Sequence, residues 1–307
     1  MGNEPVGLQC RVPLAVWSRW YELLISFGRA AGHTRGCSRD CEYMKTPRPD
    51  TPVEYLSFGG GPPSLALLIL NVWGEVLPKA ELVVYADTGW EKSETDRLVP
   101  EYREWSEEMG LEFVTVKSKD GPLDQYVKDR SVPIPVHTEN AIGKRQCTDK
   151  WKIQPIEEYL HGRYGMVGLT AQLAMTWGET HRVRDPRVKR NKNRWPLIEK
   201  KLTRQDCVEI IKMAGLTVPP WSACVGCPFQ SDGRWRQIAS RWPEDWDRAV
   251  EMDEFLRERA AKEEKAPIWL HWSKQPLKGL YSKDQLAFPM DEAGDVVEAC
   301  SDANCFT

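Results

Sequence analysis

Four cysteines have the residue type and the spacing to form a metal centre. Cys224 and Cys227 lie in the turn C-V-G-C-P, where two thiolates can point into one concavity and bind the same metal. Cys207 precedes them on a predicted helix, and Cys147 begins another helix in R-Q-C-T-D-K-W-K. Because thiolates from three segments can close a tetrahedral site, the sequence predicts that these four cysteines bind a metal. Structural zinc is one candidate, and buried free thiols without a metal are the alternative.

A glycine-rich segment could bind phosphate. In L-S-F-G-G-G-P-P-S-L-A-L-L-I-L, residues 56–70, three glycines stand between an apolar strand and an apolar helix. Glycines allow a tight turn in which backbone N–H groups face an anion, and the positive end of the helix adds to the attraction. The predicted phosphate ligands are Ser57, Gly59, Gly60, Gly61 and Ser64, and Ser64 is also a predicted catalytic residue. The segment is neither a Walker A motif nor G-x-G-x-x-G, so a plain tight turn is the alternative.

A polar turn follows the next strand and should reach the same edge of the sheet. A-D-T-G-W-E, residues 86–91, places Asp87 and Thr88 at the end of that strand. An acid there suits a contact with ribose or with magnesium, so we predict that Asp87 is catalytic and that both residues bind the nucleotide. The same three residues, Asp-Thr-Gly, are also common in ordinary turns.

A basic segment at residues 181–194 contains seven Lys or Arg residues and one Asp. His181, Arg182 and Arg184 can hold a phosphate or sulfate group, and Arg182 is the predicted catalytic cation. Other cations of the segment could follow a nucleic-acid backbone: Lys189, Arg190, Lys192 and Arg194. Four more could extend this surface: Lys144, Arg145, Lys150 and Lys152. A solvated charged loop is the alternative reading of the segment.

Two further cysteine pairs lie near the ends of the chain. Cys37 and Cys41 fall in an amino-terminal loop, and Cys300 and Cys305 fall in an acidic tail. Flexible tail thiols could act as a redox pair. A disulfide framework is not expected, because we predict a cytoplasmic protein and the cytosol is reducing.

The elements that must position these residues alternate between strands and helices. Strands are predicted at residues 53–58, 80–87 and 111–117, and a helix that breaks at Pro100 is predicted between the last two. This alternation predicts an α/β fold with a parallel sheet and crossover connections. Ligands of such sheets bind at the carboxyl ends of the strands, which would bring residues 59–64 and 86–91 together.

Composition sets the class of protein and the division of the chain. Hydrophobic residues make up 41% and charged residues 28% of 307 residues, which is typical of a soluble globular protein. No apolar run approaches the roughly 20 residues of a membrane span. The net charge of -3 gives no general attraction to nucleic acid, so any basic surface must be local. Three regions are predicted: an extension at 1–50, a nucleotide-binding core at 51–200, and a helical, cysteine-bearing region with the tail at 201–307.

Five motifs, in this order, together resemble a known family. They are S-F-G-G-G-P-P-S-L-A-L-L, A-D-T-G-W-E, Q-C-T-D-K-W-K-I-Q-P-I, W-P-L-I-E-K-K-L-T-R-Q-D-C and S-A-C-V-G-C-P-F-Q-S-D. The chain resembles the PP-loop ATP pyrophosphatases, an adenine nucleotide alpha-hydrolase superfamily, in the branch similar to phosphoadenylylsulfate (PAPS) reductases. DNA phosphorothioation sulfurtransferases are more distant relatives. The resemblance covers roughly residues 53–235.

The resemblance implies a doubly wound parallel sheet that binds ATP or a related adenine nucleotide with Mg²⁺. It also favours a [4Fe-4S] cluster over zinc at the four cysteines. ATP-using members carry S-G-G-x-D-S, and the matching stretch here is Gly59 to Ser64, with Gly59 in place of the first serine and Pro63 in place of the aspartate. Because proline lacks both a carboxylate and an N–H donor, the departure affects nucleotide cleavage more than nucleotide binding.

The expected function is ATP-dependent adenylation, coupled to sulfur transfer or to another modification of a nucleic acid or nucleotide. A sulfur donor protein is an expected partner, and a homodimer is left open. One alternative is a thiol-dependent reductase of PAPS or adenylyl sulfate, in which the tail cysteines Cys300 and Cys305 would attack sulfur. A second alternative is a non-catalytic protein that binds nucleotide or nucleic acid through a decayed loop.

Overall fold

The computed structural model describes residues 52–281 of the chain. Within them, five strands form one parallel sheet in the order β3-β2-β1-β4-β5. The strands are β1 (Val53–Phe58), β2 (Leu82–Asp87), β3 (Phe113–Lys117), β4 (Leu169–Leu173) and β5 (Lys192–Arg194). The predicted α/β fold with a doubly wound parallel sheet is confirmed.

Helices connect and cover these strands. In the described residues they are α1 (Pro62–Val72), α2 (Ser93–Glu108), α3 (Leu123–Asp129), α4 (Gln154–Tyr164), α5 (Pro196–Glu199), α6 (Arg204–Met213), α7 (Asp232–Arg241) and α8 (Pro243–Lys262). A π-helical turn at Asp149–Ile153 leads into α4, and a 3-10 helix at Trp177–Arg182 follows β4. No helix within residues 52–281 has both the length and the apolar composition to cross a membrane.

The order of the strands locates the site. From β1 the chain proceeds outward through β2 to β3, and it then returns to form β4 on the other side of β1. The connections therefore leave β1 and β4 in opposite directions, which opens a crevice at their carboxyl ends. The glycine-rich segment lies directly at this crevice, because it joins β1 to α1.

Buried apolar side chains form three clusters around the sheet. The first packs one sheet face against α1, α2 and α6, and the third packs the opposite face against α4. The second lies beyond the carboxyl ends of the strands, where Trp90 of the turn after β2 and Trp151 join the tryptophans near α7 and α8. Trp90, Trp151 and Trp235 are almost fully buried in it. Much of the high tryptophan content thus builds the wall of the site rather than its chemistry.

One predicted break in a helix is absent. Helix α2 runs through Pro100 without interruption. Proline removes the N–H group that would bond to the carbonyl of Asp96, but both residues are exposed, so water can serve that carbonyl. The prediction was wrong because an exposed proline costs a helix less than a buried one.

Several sequence-based predictions fall outside the described residues. They concern the extension at 1–50, with Cys37 and Cys41, and the tail thiols Cys300 and Cys305. The boundaries at 51–200 and 201–307 also stay predictions. Helix α6, which follows residue 200, packs against α1 in the same apolar cluster as β1.

Candidate functional site

A cavity of about 400 Å³ opens at the carboxyl ends of β1 and β4. Ligand sites of small molecules typically occupy about 300–1,000 Å³. Three kinds of group line this one: the glycine-rich turn, three cysteine thiols and a ring of cations. The predicted phosphate ligands Ser57, Gly59, Gly61 and Ser64 are among the lining residues.

The glycine-rich turn, residues 59–64, closes on itself before α1 begins. Gly60 has a φ of 77°, in the left-handed region that glycine adopts without strain. Gly61 caps α1, and Pro62 and Pro63 occupy its first two positions, where the missing N–H groups break no helical bond. The Ser64 hydroxyl donates to Gly61 O at 2.8 Å and accepts from Gly61 N at 3.1 Å. The structure therefore uses Ser64 to shape the turn, and the prolines withhold two donors from an anion.

A second loop covers this turn. We call residues 221–230, which include Cys224 and Cys227, the cysteine loop. The Ser222 hydroxyl donates to Gly59 O, and a Cβ on Gly61 would lie 2.9 Å from Ser222 N. Gly61 is therefore required by the close approach of the cysteine loop and not by its own φ of -106°.

The turn after β2 faces the cysteine loop as well as the cavity. Thr88 lines the cavity, and its Oγ1 lies 3.6 Å from Cys224 Sγ. Asp87 is not among the described residues that line the cavity. Its carboxylate accepts from Gly89 N at 2.8 Å and pairs with Lys117 at 3.1 Å. The sequence placed Asp87 correctly at this edge, but its side chain is occupied on the other face of the sheet.

Three of the four predicted metal ligands line the same cavity. Cys147, Cys224 and Cys227 line the cavity, and Cys227 N donates to Cys224 O at 3.2 Å in the turn between them. Burial, followed by the nearby carboxylate of Glu91, raises the pKa of the Cys224 thiol above its ordinary value. Without a bound metal or another cation, this thiol therefore stays protonated at neutral pH.

Cys207 is the exception, and its place in the predicted centre has to be corrected. It is fully buried on the inner face of α6, in the apolar cluster that contains Ile210 and Ile211. Burial raises the pKa of its thiol to about 12. The helical period of α6 turns Cys207 toward the sheet, so it packs as a small apolar side chain and does not join the other three.

The three cavity thiols fit one kind of metal centre better than another. Among residues 52–281, no three His, Cys, Asp or Glu side chains are gathered closely enough to hold one metal ion. Zinc needs its thiolates about 2.3 Å away in a tetrahedron, so a closed zinc site is not preformed in the described residues. An iron–sulfur cluster distributes its thiolates over several irons, and thiols placed around a cavity suit that demand.

An acid and a cation stand behind the thiols. Glu91 is buried, and its Oε1 accepts from Thr88 Oγ1 at 3.0 Å and from Cys224 Sγ at 3.9 Å. Lys152 Nζ lies 3.9 Å from the same oxygen and lines the cavity. Burial alone would lower the pKa of Lys152, but the nearby carboxylate of Glu91 raises it above its ordinary value. Lys152 is therefore held as a cation on the wall of the cavity.

Many of the predicted basic residues converge on the cavity, and two that were not predicted join them. The lining cations are Arg145, Lys152, Arg182, Arg184, Arg187, Lys192, Arg204 and Arg234. Arg182 is buried and pairs with Glu179, and Arg187 reaches Asp149 at 3.7 Å. Arg194 instead pairs with Glu54 and Glu199. A cavity surrounded by cations attracts anions such as phosphate and sulfate.

Sequence reasoning missed Ser222, Arg204 and Arg234. Ser222 stands two residues before Cys224, so the motif S-A-C-V-G-C held a signal for it. Arg204 begins α6 and Arg234 lies on α7, and both reach the cavity only through long-range packing. No local pattern distinguishes these two arginines from others in the chain.

Comparison with known proteins identifies the family. The family model of the phosphoadenosine phosphosulfate reductase domain matches residues 54–214, which is more than half of the chain. The chain belongs to this family. Membership makes it an enzyme of sulfur chemistry that uses an adenine nucleotide, which agrees with the resemblance of the motifs. The matched range contains the glycine-rich turn, Cys147 and the basic segment, and it ends before the cysteine loop.

No curated protein matches the chain. Among solved structures, the chain is similar to the U34-tRNA thiolase NcsA from Methanococcus maripaludis with its [4Fe-4S] cluster, at 12% sequence identity. The similarity covers 67% of this chain and 72% of that chain, with a TM-score of 0.37. At this level of similarity, nothing about the site follows from it.

Proposed function

We propose that this protein binds ATP at the glycine-rich turn and uses it to activate a substrate for sulfur transfer. The observation that carries the proposal is that the glycine-rich turn, through Gly59 and Gly61 to Ser64, lines one cavity with the thiols of Cys147, Cys224 and Cys227. A nucleotide whose phosphates lie on the turn would therefore present its reactive end to the thiols. Membership of a family of sulfur enzymes that use adenine nucleotides supports the same reaction class.

The proposed reaction has two steps. An oxygen of the substrate attacks the α-phosphorus of ATP, and the bond to pyrophosphate breaks, so that an adenylated substrate and pyrophosphate form. Sulfide from a donor then attacks the activated carbon and AMP leaves with the bonding electron pair, so sulfur replaces oxygen. Adenylation helps because AMP is a better leaving group than hydroxide. The cations of the cavity would stabilise the charge that builds up on the phosphates.

We assign the phosphate contacts to backbone and cations more than to Ser64. Its hydroxyl is engaged with Gly61, and two prolines begin the helix, so few hydroxyl or helical N–H donors point outward from this turn. Lys152 and Arg182 line the cavity and can neutralise the phosphates; Arg182 keeps its proposed catalytic role. Mg²⁺ would enter with ATP and bind mainly to phosphate oxygens and water, because Asp87 is committed to Lys117.

Cys147, Cys224 and Cys227 would hold a [4Fe-4S] cluster. Held by these three thiolates, such a cluster would supply a site for the sulfide that is transferred. The residues of the chain would hold that sulfide beside the phosphates and exclude water from the adenylated substrate. Glu91 and Lys152 fix the wall behind Cys224, so they would orient the cluster ligands.

A nucleic acid is the proposed class of substrate. Four cations of the basic segment, residues 181–194, line the cavity together with Arg145 and Lys152, and they would contact phosphates of the backbone. Binding should then weaken steeply as salt rises. A sulfur donor protein, a homodimer and a cytoplasmic location remain parts of this proposal.

One anaerobic experiment tests the proposal. The purified protein is incubated with ATP, Mg²⁺ and sulfide, and pyrophosphate, AMP and iron are measured. Release of pyrophosphate that depends on an added RNA or DNA, together with bound iron and sulfide, is the expected result. Release of sulfite from PAPS without pyrophosphate release would favour the thiol-dependent reductase. Binding of ATP without turnover of either nucleotide would favour a decayed loop.

A further inference from the structure

A fully buried lysine lies at the junction of the two loops that form the site. Lys92 has no exposed surface, and its Nζ donates to Trp221 O and, at 3.2 Å, to Ala223 O. The same ammonium lies 4.5 Å from the centroid of the Trp221 ring. Lys92 is not among the described residues that line the cavity, so it does not act by touching a ligand there.

The two carbonyls that Lys92 binds flank Ser222. The hydroxyl of Ser222 donates to Gly59 O, and its backbone packs against Gly61. Lys92 therefore holds in place, through the two neighbouring carbonyls, the residue Ser222 that contacts the glycine-rich turn. The next residue after Ala223 is Cys224, so the same contact also sets where this thiol enters the cavity.

The rest of the turn after β2 reinforces this arrangement. Trp90 O accepts from Val225 N at 3.0 Å, and a Cβ on Gly226 would collide with the Trp90 ring. Thr88 Oγ1 lies 3.6 Å from Cys224 Sγ. Thr88, Trp90 and Lys92 thus all contact the cysteine loop. Lys92 makes the charged hydrogen bonds among these contacts.

Burying an ammonium group costs hydration free energy, which a position that only had to be filled would not require. An apolar side chain of similar volume could pack on Trp221 without losing hydration. The ammonium differs because it binds two carbonyl groups at once, and hydrogen bonds that involve a charged partner are stronger than neutral ones. What Lys92 adds to the fold is therefore the fixed position of residues 221–223.

We propose that Lys92 is a positioning residue of this site, which couples the glycine-rich turn to Cys224 through Ser222. This inference rests on the proposed function, because it assumes that the turn binds nucleotide. Lys92 fixes the distance between the nucleotide phosphates and the cysteine loop. Its loss should loosen the cysteine loop and weaken ATP binding, although Lys92 contacts neither the nucleotide nor the substrate.

Hydrogen exchange of the full chain, measured by mass spectrometry, tests the first half of the inference. Lys92→Met should speed exchange in residues 222–230 by about tenfold or more, because two charge-assisted hydrogen bonds are lost. The amides of Val225, Cys227 and Gln230 report on this loop. Residues 144–153, which carry Cys147 from another segment, should keep their wild-type exchange. Lys212→Met, which removes an exposed lysine, is the control for the change in charge.

Calorimetric titration with ATP tests the second half. We expect ATP to bind Lys92→Met at least about tenfold more weakly than wild type. Ser222→Ala, which leaves the buried charge in place, should weaken ATP in the same direction. It therefore serves as a second probe if Lys92→Met does not fold. Faster loop exchange with unchanged ATP affinity in both variants would leave Lys92 a purely structural residue and overturn the proposal.

The two hypotheses fail in different ways. If ATP does not bind even to the wild-type protein, the proposed function is contradicted. The exchange rates still decide whether Lys92 holds the cysteine loop in that case. Equal exchange of residues 222–230 in wild type and Lys92→Met would contradict the inference about Lys92 whatever the nucleotide does.

Discussion

The two glycines Gly60 and Gly61 of this site are required by backbone conformation and by the space available to a side chain. Gly60 needs its positive φ, but Gly61 has an ordinary backbone and is required because Ser222 lies against it. The glycine-rich turn thus packs against the cysteine loop, in addition to the proposed contact with an anion. This packing gives the turn a reason to keep Gly61 although Pro63 stands where ATP-using members of the superfamily carry an aspartate.

Gly61→Ala should therefore harm the site more than Gly59→Ala. The new Cβ would lie 2.9 Å from backbone Ser222 N, whereas at Gly59 the nearest atom is the movable Ser222 Oγ at 3.4 Å. We expect Gly61→Ala to lower the free energy of unfolding by about 1–3 kcal/mol, and to weaken ATP binding. Urea unfolding and calorimetric titration of both variants measure this. Equal effects of the two substitutions would show that space for Ser222 is not what selects Gly61.

Lys92 gives the protein a distinctive dependence on alkaline pH. Burial lowers its pKa from 10.5 to about 8, so below pH 8 it is charged in both the folded and the unfolded protein and the cost of its burial is fully present. Between these two values the unfolded protein binds more protons, so the free energy of unfolding gains up to about 3 kcal/mol as pH rises.

This gain should be absent in Lys92→Met. The measurement is urea unfolding of both proteins at pH 7.5 and pH 10, from which the difference between the two free energies of unfolding is taken at each pH. We expect the wild type to gain on the variant toward pH 10. An equal difference between the two proteins at both pH values would mean that Lys92 titrates at its ordinary pKa and is hydrated in solution.

At the scale of elements, two segments far apart in sequence bring the three thiols to one cavity. Cys147 precedes the π-helical turn that leads into α4, whereas Cys224 and Cys227 lie between α6 and α7. Cys207 lies on α6 itself, and the helical period directs it into the apolar core. Whether a cysteine lines the cavity or packs in the core therefore depends on the direction in which its element turns the side chain.

Substitutions of the cysteines should separate these two roles. Cys207→Ala should leave iron content unchanged and lower the free energy of unfolding by about 1 kcal/mol, because it leaves a small cavity in the core. Cys224→Ala should abolish bound iron at little cost in folding. Iron analysis of anaerobically purified variants, together with urea unfolding, measures both effects. Loss of iron in Cys207→Ala would show that Cys207 is needed for metal binding and would support the four-cysteine centre instead.

Much of this arrangement could be predicted from sequence, and the rest depends on long-range packing. Apolar strands alternate with helices strongly enough to predict the parallel sheet and the edge at which the glycine-rich turn meets Thr88. Sequence position alone could not show that Asp87 turns to Lys117 or that Cys207 faces the core. The role of Lys92 was invisible, because its partners are carbonyls of a loop more than a hundred residues away.

At the scale of the whole molecule, the fold places the glycine-rich turn, three thiols and a set of cations at one crevice. The connections diverge between β1 and β4, and the second apolar cluster builds the outer wall against the cysteine loop. Although the chain carries a net charge of -3, eight Lys or Arg side chains line this cavity. The local excess of positive charge should attract anions to the cavity in spite of the overall charge.

Salt dependence reports on this local charge. If a nucleic acid binds at the mouth of the cavity, the logarithm of its association constant should fall linearly with the logarithm of salt concentration. Arg187→Ala removes an exposed cation of the cavity lining and should lower the magnitude of the slope by about 1. Fluorescence anisotropy of a labelled RNA or DNA measures the slope. An unchanged slope would place the nucleic acid elsewhere or exclude it.

The central claim is that the nucleotide and the three thiols share one cavity, and alkylation of the cysteines tests it most directly. In protein freed of bound metal by a chelator, iodoacetamide modification of each cysteine is followed by mass spectrometry with and without saturating ATP. The account predicts that ATP slows modification of Cys147, Cys224 and Cys227 together, and that higher ATP concentrations are needed in Gly61→Ala. Identical rates for the three cysteines with and without bound ATP would contradict it.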